Sequence, residues 1–300
     1  MKLLGKLFTV LIVASVFVAC SEDNESAKGR VSISITDAPI DDANVSAVFI
    51  SINSVELKGP DGWTTLDSFE EPVSIDLLSY QNGEVYFLTD EVIDAGSYSE
   101  VRLMLDIQER VNGIQQNEGC YIEYKDGSTQ PLFVPSGGQS GYKAKGDFDI
   151  TAGGVVALTL DFDVRKAVVE SGSSGKFILK PTLRFIANQE ASMITGSFDQ
   201  EDGGFSKIIV FAYADDTFTG SETDEPDDDD EVRFSNAITS SALTEEGGFT
   251  LAFMESGTYD LYFASYDENG EFIELIGSSN DVEVEAGVNL SLEISLSLLN

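Results

Sequence analysis

The sequence predicts an all-β protein built of two antiparallel β-sandwich domains. Three observations carry that expectation. Apolar and polar residues alternate in short runs: Val31, Ile33 and Ile35 against Ser32, Ser34 and Thr36; then Val101, Leu103, Leu105 and Ile107; then Val156, Leu158, Leu160, Phe162 and Val164. Period-two alternation gives a strand one face for a core and one for water. Turn signals separate the runs: Gly59-Pro60-Asp61-Gly62, Gln81-Asn82-Gly83, Asp126-Gly127, Gly137-Gly138 and Gly153-Gly154. Strands at this spacing between such turns fit a sandwich or barrel. No long segment shows the 3.6-residue period of an amphipathic helix, and Ile75–Tyr80 offers at most one helical turn.

The first domain is expected over residues 30–186, with a boundary at 186–192. The second, 191–300, carries predicted strands at Met193–Phe198, Lys207–Ala214, Phe249–Phe253, Thr258–Tyr266, Glu271–Ile276 and Asp281–Val284. A last strand alternates Leu290, Leu292, Ile294, Leu296 and Leu298 with Ser291, Glu293, Ser295 and Ser297. Asp215–Glu231 reads as an acidic, structureless insertion.

The N-terminus speaks to location. Lys2 and Lys6 precede an apolar run from Leu7 to Val18, followed by Ala19-Cys20. Two cations, a short apolar stretch and a small residue make a secretory signal. The run is shorter than the roughly 20 apolar residues a spanning helix needs. Phe17-Val18-Ala19-Cys20 resembles the lipobox of bacterial lipoproteins, with Phe17 in place of the usual leucine. The resemblance implies cleavage after residue 19 and a lipid on Cys20. Residues 20–29 then form a lipidated acidic tether, spanning at most roughly 30 Å. Acidic residues behind the lipidated cysteine also resemble a surface-export signal. The expected location is the outer membrane of the cell envelope, facing outward, with a periplasm-facing orientation as the alternative.

Charge sets limits on partners. There are 53 acidic residues against 17 basic ones, a net charge of −36, which becomes −38 once Lys2 and Lys6 leave with the signal. Such a surface repels phosphate backbones, so no nucleic-acid partner is expected. Membrane attachment falls to the lipid. With Cys20 acylated, Cys120 is alone, and no disulfide can staple either domain. It reads as a buried free thiol. The chain contains no histidine, which excludes Ser-His-Asp chemistry and the usual zinc sites.

Two resemblances add to this reading. Ile35-Thr36-Asp37-Ala38-Pro39, Ala95-Gly96-Ser97-Tyr98 before Val101-Arg102-Leu103, Val134-Pro135-Ser136-Gly137, Gly141-Tyr142-Lys143, Leu160-Asp161-Phe162-Asp163 and Leu179-Lys180-Pro181 resemble a lipoprotein family known as a domain of unknown function. That resemblance implies a secreted β-rich domain and no particular activity. Gly248-Phe249-Thr250-Leu251 followed by Ser256-Gly257-Thr258-Tyr259-Asp260-Leu261 resembles the carboxypeptidase-regulatory-like, prealbumin-type sandwich. It implies a non-catalytic module, grouped with immunoglobulin-like and carbohydrate-binding-like folds.

Few residues stand out as sites. Asp37, Asp41 and Asp42 cluster where a strand exits to a loop and could offer hard oxygens to Ca²⁺; turn chemistry explains them better. The run Asp224–Glu231 reads as a solvated loop, and Asp267-Glu268-Asn269-Gly270 as a hairpin turn. Trp63 is the only tryptophan. An exposed ring could stack on a sugar, although packing over its hairpin is favoured. Asp161 and Asp163 could serve a two-carboxylate glycosidase, with cross-strand ion pairing to Lys180 and Arg184 the better reading. The expected function is therefore a lipid-anchored surface binding or adhesion protein, non-catalytic, with glycans as one ligand class. A carboxylate-only carbohydrate-active enzyme and a structural subunit of a surface assembly are the alternatives. Expected partners are the membrane, through the lipid anchor, and a glycan or another envelope protein. No cofactor is expected beyond the lipid on Cys20, and Ca²⁺ is not favoured.

Overall fold

The computed structural model describes residues 27–39, 44–107, 119–134, 140–171, 176–198, 206–226 and 231–294. Cys20, Asp41 and Asp42 lie outside the described residues, as do the signal segment and Asp227–Asp230.

Nineteen described strands run along the chain. The first twelve are β1 (Lys28–Asp37), β2 (Val45–Gly59), β3 (Gly62–Asp76), β4 (Tyr86–Asp94), β5 (Gly96–Leu105), β6 (Tyr121–Tyr124), β7 (Thr129–Phe133), β8 (Tyr142–Ile150), β9 (Val155–Phe162), β10 (Val168–Glu170), β11 (Phe177–Leu179) and β12 (Leu183–Ala187). They form a four-stranded sheet in the order β12-β9-β1-β4 and an eight-stranded sheet, β10-β11-β7-β6-β2-β5-β8, with β3 paired on β2. Val31, Ile33 and Ile35 of β1 are fully buried between these sheets, with Val48, Ile50, Val55 and Leu57 of β2. Each such side chain stabilises the fold by about 1.5–3 kcal/mol relative to exposure. The alternation read from the sequence is this burial pattern.

The remaining strands are β13 (Ser192–Phe198), β14 (Lys207–Ala214), β15 (Thr239–Ala242), β16 (Gly248–Met254), β17 (Gly257–Tyr266), β18 (Phe272–Val284) and β19 (Asn289–Ile294). They make a three-stranded sheet, β16-β13-β19, and a four-stranded one, β15-β14-β17-β18. Ile194, Phe249 and Leu251 meet Val210, Leu261 and Phe263 in their shared core. A Cβ on Gly196 would lie 2.3 Å from the Phe249 ring, so the glycine lets that ring reach Phe263 edge-on at 5.7 Å. On the other face of the larger sheet, Phe211 stacks on Phe234 at 4.2 Å.

Both units reuse one corner. In Ala95-Gly96-Ser97-Tyr98 the Tyr98 hydroxyl donates to the carbonyl of Asp94. In Ser256-Gly257-Thr258-Tyr259 the Tyr259 hydroxyl donates to the carbonyl of Glu255. Each ring is buried, and each hydroxyl finds its acceptor four residues back, where the strand begins.

The fold is all-β sandwich, as expected, with differences in detail. Three strand pairs are parallel: β1 with β9, β7 with β11, and β13 with β19. The run from Val156 ends as a strand at Phe162, because the Asp163 side chain accepts from Lys166 N and caps a helical turn, α1 (Val164–Ala167). The strands expected at Glu271–Ile276 and Asp281–Val284 are one, β18, which starts at Phe272 and whose register shifts three times against β17. The expected turn after Ile75 is a 3-10 turn over Leu77–Ser79, capped by Asp76. The insertion expected over Asp215–Glu231 contains a 3-10 turn at Gly220–Thr223 with Glu222 buried in it. Among the described residues no helix is long and apolar enough to cross a membrane.

Candidate functional site

The densest polar chemistry lies where the two units meet. The parallel register of β1 and β9 sets Thr36 beside Asp161 and Asp37 beside Phe162. β12 places Arg184 directly across from Asp161. α1 begins immediately after β9 and carries Arg165 and Lys166. Three carboxylates and three cations are thereby gathered at one end of one sheet.

Their partners are specific. Arg184 Nε donates to Asp161 Oδ2 at 2.8 Å. Asp163 Oδ2 lies 3.0 Å from Lys166 Nζ and 3.5 Å from an Arg165 nitrogen. The cations also cross to the second unit. Arg165 donates to the carbonyls of Arg233 and Phe234, and its guanidinium sits 5.1 Å over the Phe211 ring. Lys166 Nζ donates to the carbonyl of Ala237, and Arg184 to that of Phe253 at 3.4 Å. Ser241 Oγ donates back to Asn82 Oδ1 at 2.8 Å. Phe234 and Phe253 have φ of 56° and 54°. Bulky residues rarely hold positive φ, and here their carbonyls face arginines of the first unit.

Among the described residues Asp37 is the one of the three carboxylates without an ion pair. Its Oδ1 accepts from Val164 N at 3.1 Å, while Oδ2 is buried without a hydrogen-bond partner. Ser240 Oγ, from β15, is buried and unpartnered too. Both residues line a small cavity between the units, with Thr36, Asn82, Asp161 and Phe253. Its free volume of about 10 Å³ is close to what one water needs. Burial pushes the Asp37 carboxyl well above the usual range, and the charges of Asp161 and Asp163 add to the effect. Burial likewise raises Asp161, against the pull of Arg184. Asp163 is equally desolvated, but Arg165 and Lys166 together hold it below its usual range.

The sites expected from sequence fall as follows. Asp37 is committed to the junction. Asp161 pairs with Arg184 across strands, as the ion-pair reading has it, whereas Asp163 takes Arg165 and Lys166 from its own helical turn. Cys120 is a buried free thiol, pushed up to about 11 by desolvation. Asp267 accepts from the backbone of Asn269 and Glu271 and shapes the β17–β18 turn. Trp63, half-buried, carries the Arg102 guanidinium 4.1 Å over its ring, with Lys143 and Lys58 nitrogens at 5.6 and 5.9 Å.

Two groupings escaped the sequence. Glu222 accepts from the Tyr213 hydroxyl and from both the backbone and side chain of Asn236; only its place in a capping-box pattern, Thr219 to Glu222, could have marked it. Asp215, Asp216 and Asp260 bring carboxylates within 4.8 Å of one another, but Asp260 accepts from the backbone of Asp216 and Asp281, which explains its placement.

The architecture defines a class: an all-β sandwich protein whose two units are joined by cations of the first donating to backbone carbonyls of the second. The chain belongs to the family described as Domain of unknown function (DUF4382), which matches residues 28–181. No curated protein matches the sequence. Among solved structures, a leucine-rich repeat protein from Bacteroides thetaiotaomicron aligns over 90% of this chain at 12% identity and a TM-score of 0.21; this chain covers 27% of its length. A candidate adhesin from Bacteroides ovatus aligns over 98% of this chain and 99% of its own, at 9% identity and a TM-score of 0.26. GBS52, the minor pilin of Streptococcus agalactiae, aligns over 90% and 96%, at 12% and 0.22. Scores this low carry no argument about function.

Proposed function

We propose that this protein is a lipid-anchored, non-catalytic binding protein of the cell surface, held to the outer membrane through Cys20. The observation that carries the reading is the junction. Asp161 and Asp163, the carboxylates on which a glycosidase alternative depends, are engaged by Arg184, Arg165 and Lys166. A catalytic pair would need one carboxyl free to give a proton and the other free to attack or to activate water. Instead their cationic partners also donate to backbone carbonyls of the second unit, so this cluster serves the contact between the two sandwiches, and a tethered pair of sandwiches suits presentation of a binding face. Edge strand β4 also leaves Phe87 60% exposed, a feature favouring contact with a partner.

The test is cellular. Wild type should label with palmitate, partition into detergent and be cleaved by protease added to intact cells. Cys20→Ala should lose label and partition. Equal labelling and partition of the mutant would overturn the anchor. Turnover of a polysaccharide by purified protein, lost on Asp161→Asn, would move the protein to the enzyme alternative.

A further inference from the structure

Resting on that binding reading, we propose that the outward face of β3, β2, β5 and β8 docks an anionic glycan. Trp63 is its stacking platform, and Lys58, Arg102, Lys143 and Lys145 receive carboxylate or sulfate groups. The register builds the face. Trp63 pairs with Lys58, Lys58 with Glu100, and Glu100 with Lys145, giving one row across four strands. Thr65, Glu56, Arg102 and Lys143 form the next row. Three strand spacings make each row about 14 Å long. The intervening residues Leu57, Val101 and Ala144 are buried, so both rows point away from the core.

The charge balance of this face is opposite to that of the chain. The protein has 17 cationic and 53 acidic residues, yet these two rows hold four cations and two carboxylates. Glu56 is paired with Arg102, and Glu100 with Lys58. Lys143 and Lys145 take part in no ion pair among the described residues, although both lie close enough to help lower the Glu100 carboxyl, whose main partner is Lys58. Three cations converge within 6 Å of one indole. Each is drawn to the ring, and each repels the other two. An arriving anion relieves that repulsion and meets the two unpaired lysines.

The indole selects the kind of anion. A half-buried tryptophan beside charges offers apolar area with a polar margin, which matches a sugar ring bearing an acid group. A second copy of this chain would bring a net charge of −36 with it and be repelled as a body. A thin polysaccharide brings only the few charges that touch the face, whereas a second copy would set a broad acidic surface within the roughly 8 Å over which salt leaves charges unscreened.

The experiment uses full-length mature protein in detergent, titrated with polygalacturonate oligomers and with the same oligomers methyl-esterified. Sulfated dextran against dextran asks whether sulfate serves as well as carboxylate. Trp63, the sole tryptophan, supplies the fluorescence signal, and calorimetry serves Trp63→Ala. An acidic glycan should bind at least tenfold tighter than its neutral counterpart. Lys143→Glu with Lys145→Glu, and separately Trp63→Ala, should each weaken that binding at least tenfold while the thermal midpoint stays that of a folded protein. Equal binding of ester and acid, binding indifferent to all three substitutions, or no binding of either polyanion would overturn the proposal. So would self-association abolished by Lys143→Glu, which would assign the face to a second copy. Because the assay does not depend on Cys20, loss of the anchor reading and loss of this one are separately visible.

Discussion

The guanidinium of Arg165, on α1 of the first unit, donates to the carbonyl of Phe234 in the second at 3.2 Å, and Phe234 holds φ at 56°. An arginine that is 3% exposed thus meets a strained turn. Phe234 is held from three sides: its carbonyl by Arg165, its N–H by the carbonyl of Glu222, and its ring by Phe211. Strain of this kind persists only where the surroundings over-determine the conformation.

Arg165→Met keeps the length of the side chain and removes the charge. It should destabilise the protein by about 3–5 kcal/mol, the range for breaking a buried pair. It should also uncouple the units. Calorimetry should resolve a single transition into two. A single transition with an unchanged midpoint would contradict the fastening role.

Asp37→Asn should stabilise the protein at neutral pH. Burial raises the folded-state pKa of Asp37 above its unfolded value of about 3.9. Its contribution to stability is therefore complete below that unfolded pKa and is lost as pH rises through the folded one. Asparagine keeps an oxygen for Val164 N and offers N–H to the cavity shared with Ser240. The expected gain above the folded pKa is about 1–3 kcal/mol, the cost of an unsatisfied buried group. Thermal midpoints across pH 4–8 should converge at the acid end. A lower midpoint for the variant at pH 7.5 would sink the idea.

Glu222→Ala leaves the Tyr213 hydroxyl and two Asn236 donors without their acceptor. A loss of at least about 2 kcal/mol is expected, with Glu222→Gln milder because one oxygen remains. Denaturant midpoints decide it. A neutral Glu222→Ala would return this stretch to the status of a solvated loop.

Trp63 emission offers a direct reading of local charge. Iodide should quench it more than caesium does, despite the net charge of −36, because Arg102, Lys143 and Lys58 surround the ring. Lys143→Glu should narrow the difference. Stronger quenching by caesium in wild type would mean that the field of the whole chain governs the site.

The strands and their faces were legible in the sequence, because a side-chain period of two is written locally. Val31, Ile33 and Ile35 announced an inward face, and Asn269-Gly270 announced its turn. One ion pair, Asp161 with Arg184, was legible in part: Asp161 falls on the polar positions of the alternating run from Val156, and Arg184 was one of two cations, with Lys180, expected to face it. The helical turn after Phe162 was hidden, since Val164 continues the apolar alternation and only the Asp163 cap breaks it.

Tertiary structure decided everything that depends on which surface covers which. Alternation states that a face is buried and is silent about the sheet that buries it. Arg165 and Phe234 lie 69 residues apart, and Trp63 meets Lys143 only because β2 and β5 come between β3 and β8. Composition made Glu222 look solvated, and the packing of Tyr213 and Asn236 took it inside. The sequence by itself determined an acidic chain and two runs of sandwich strands. The junction and the cationic tryptophan face arose from long-range contacts, where polar groups far apart in the chain are brought within a few ångströms and lose the water that kept them independent.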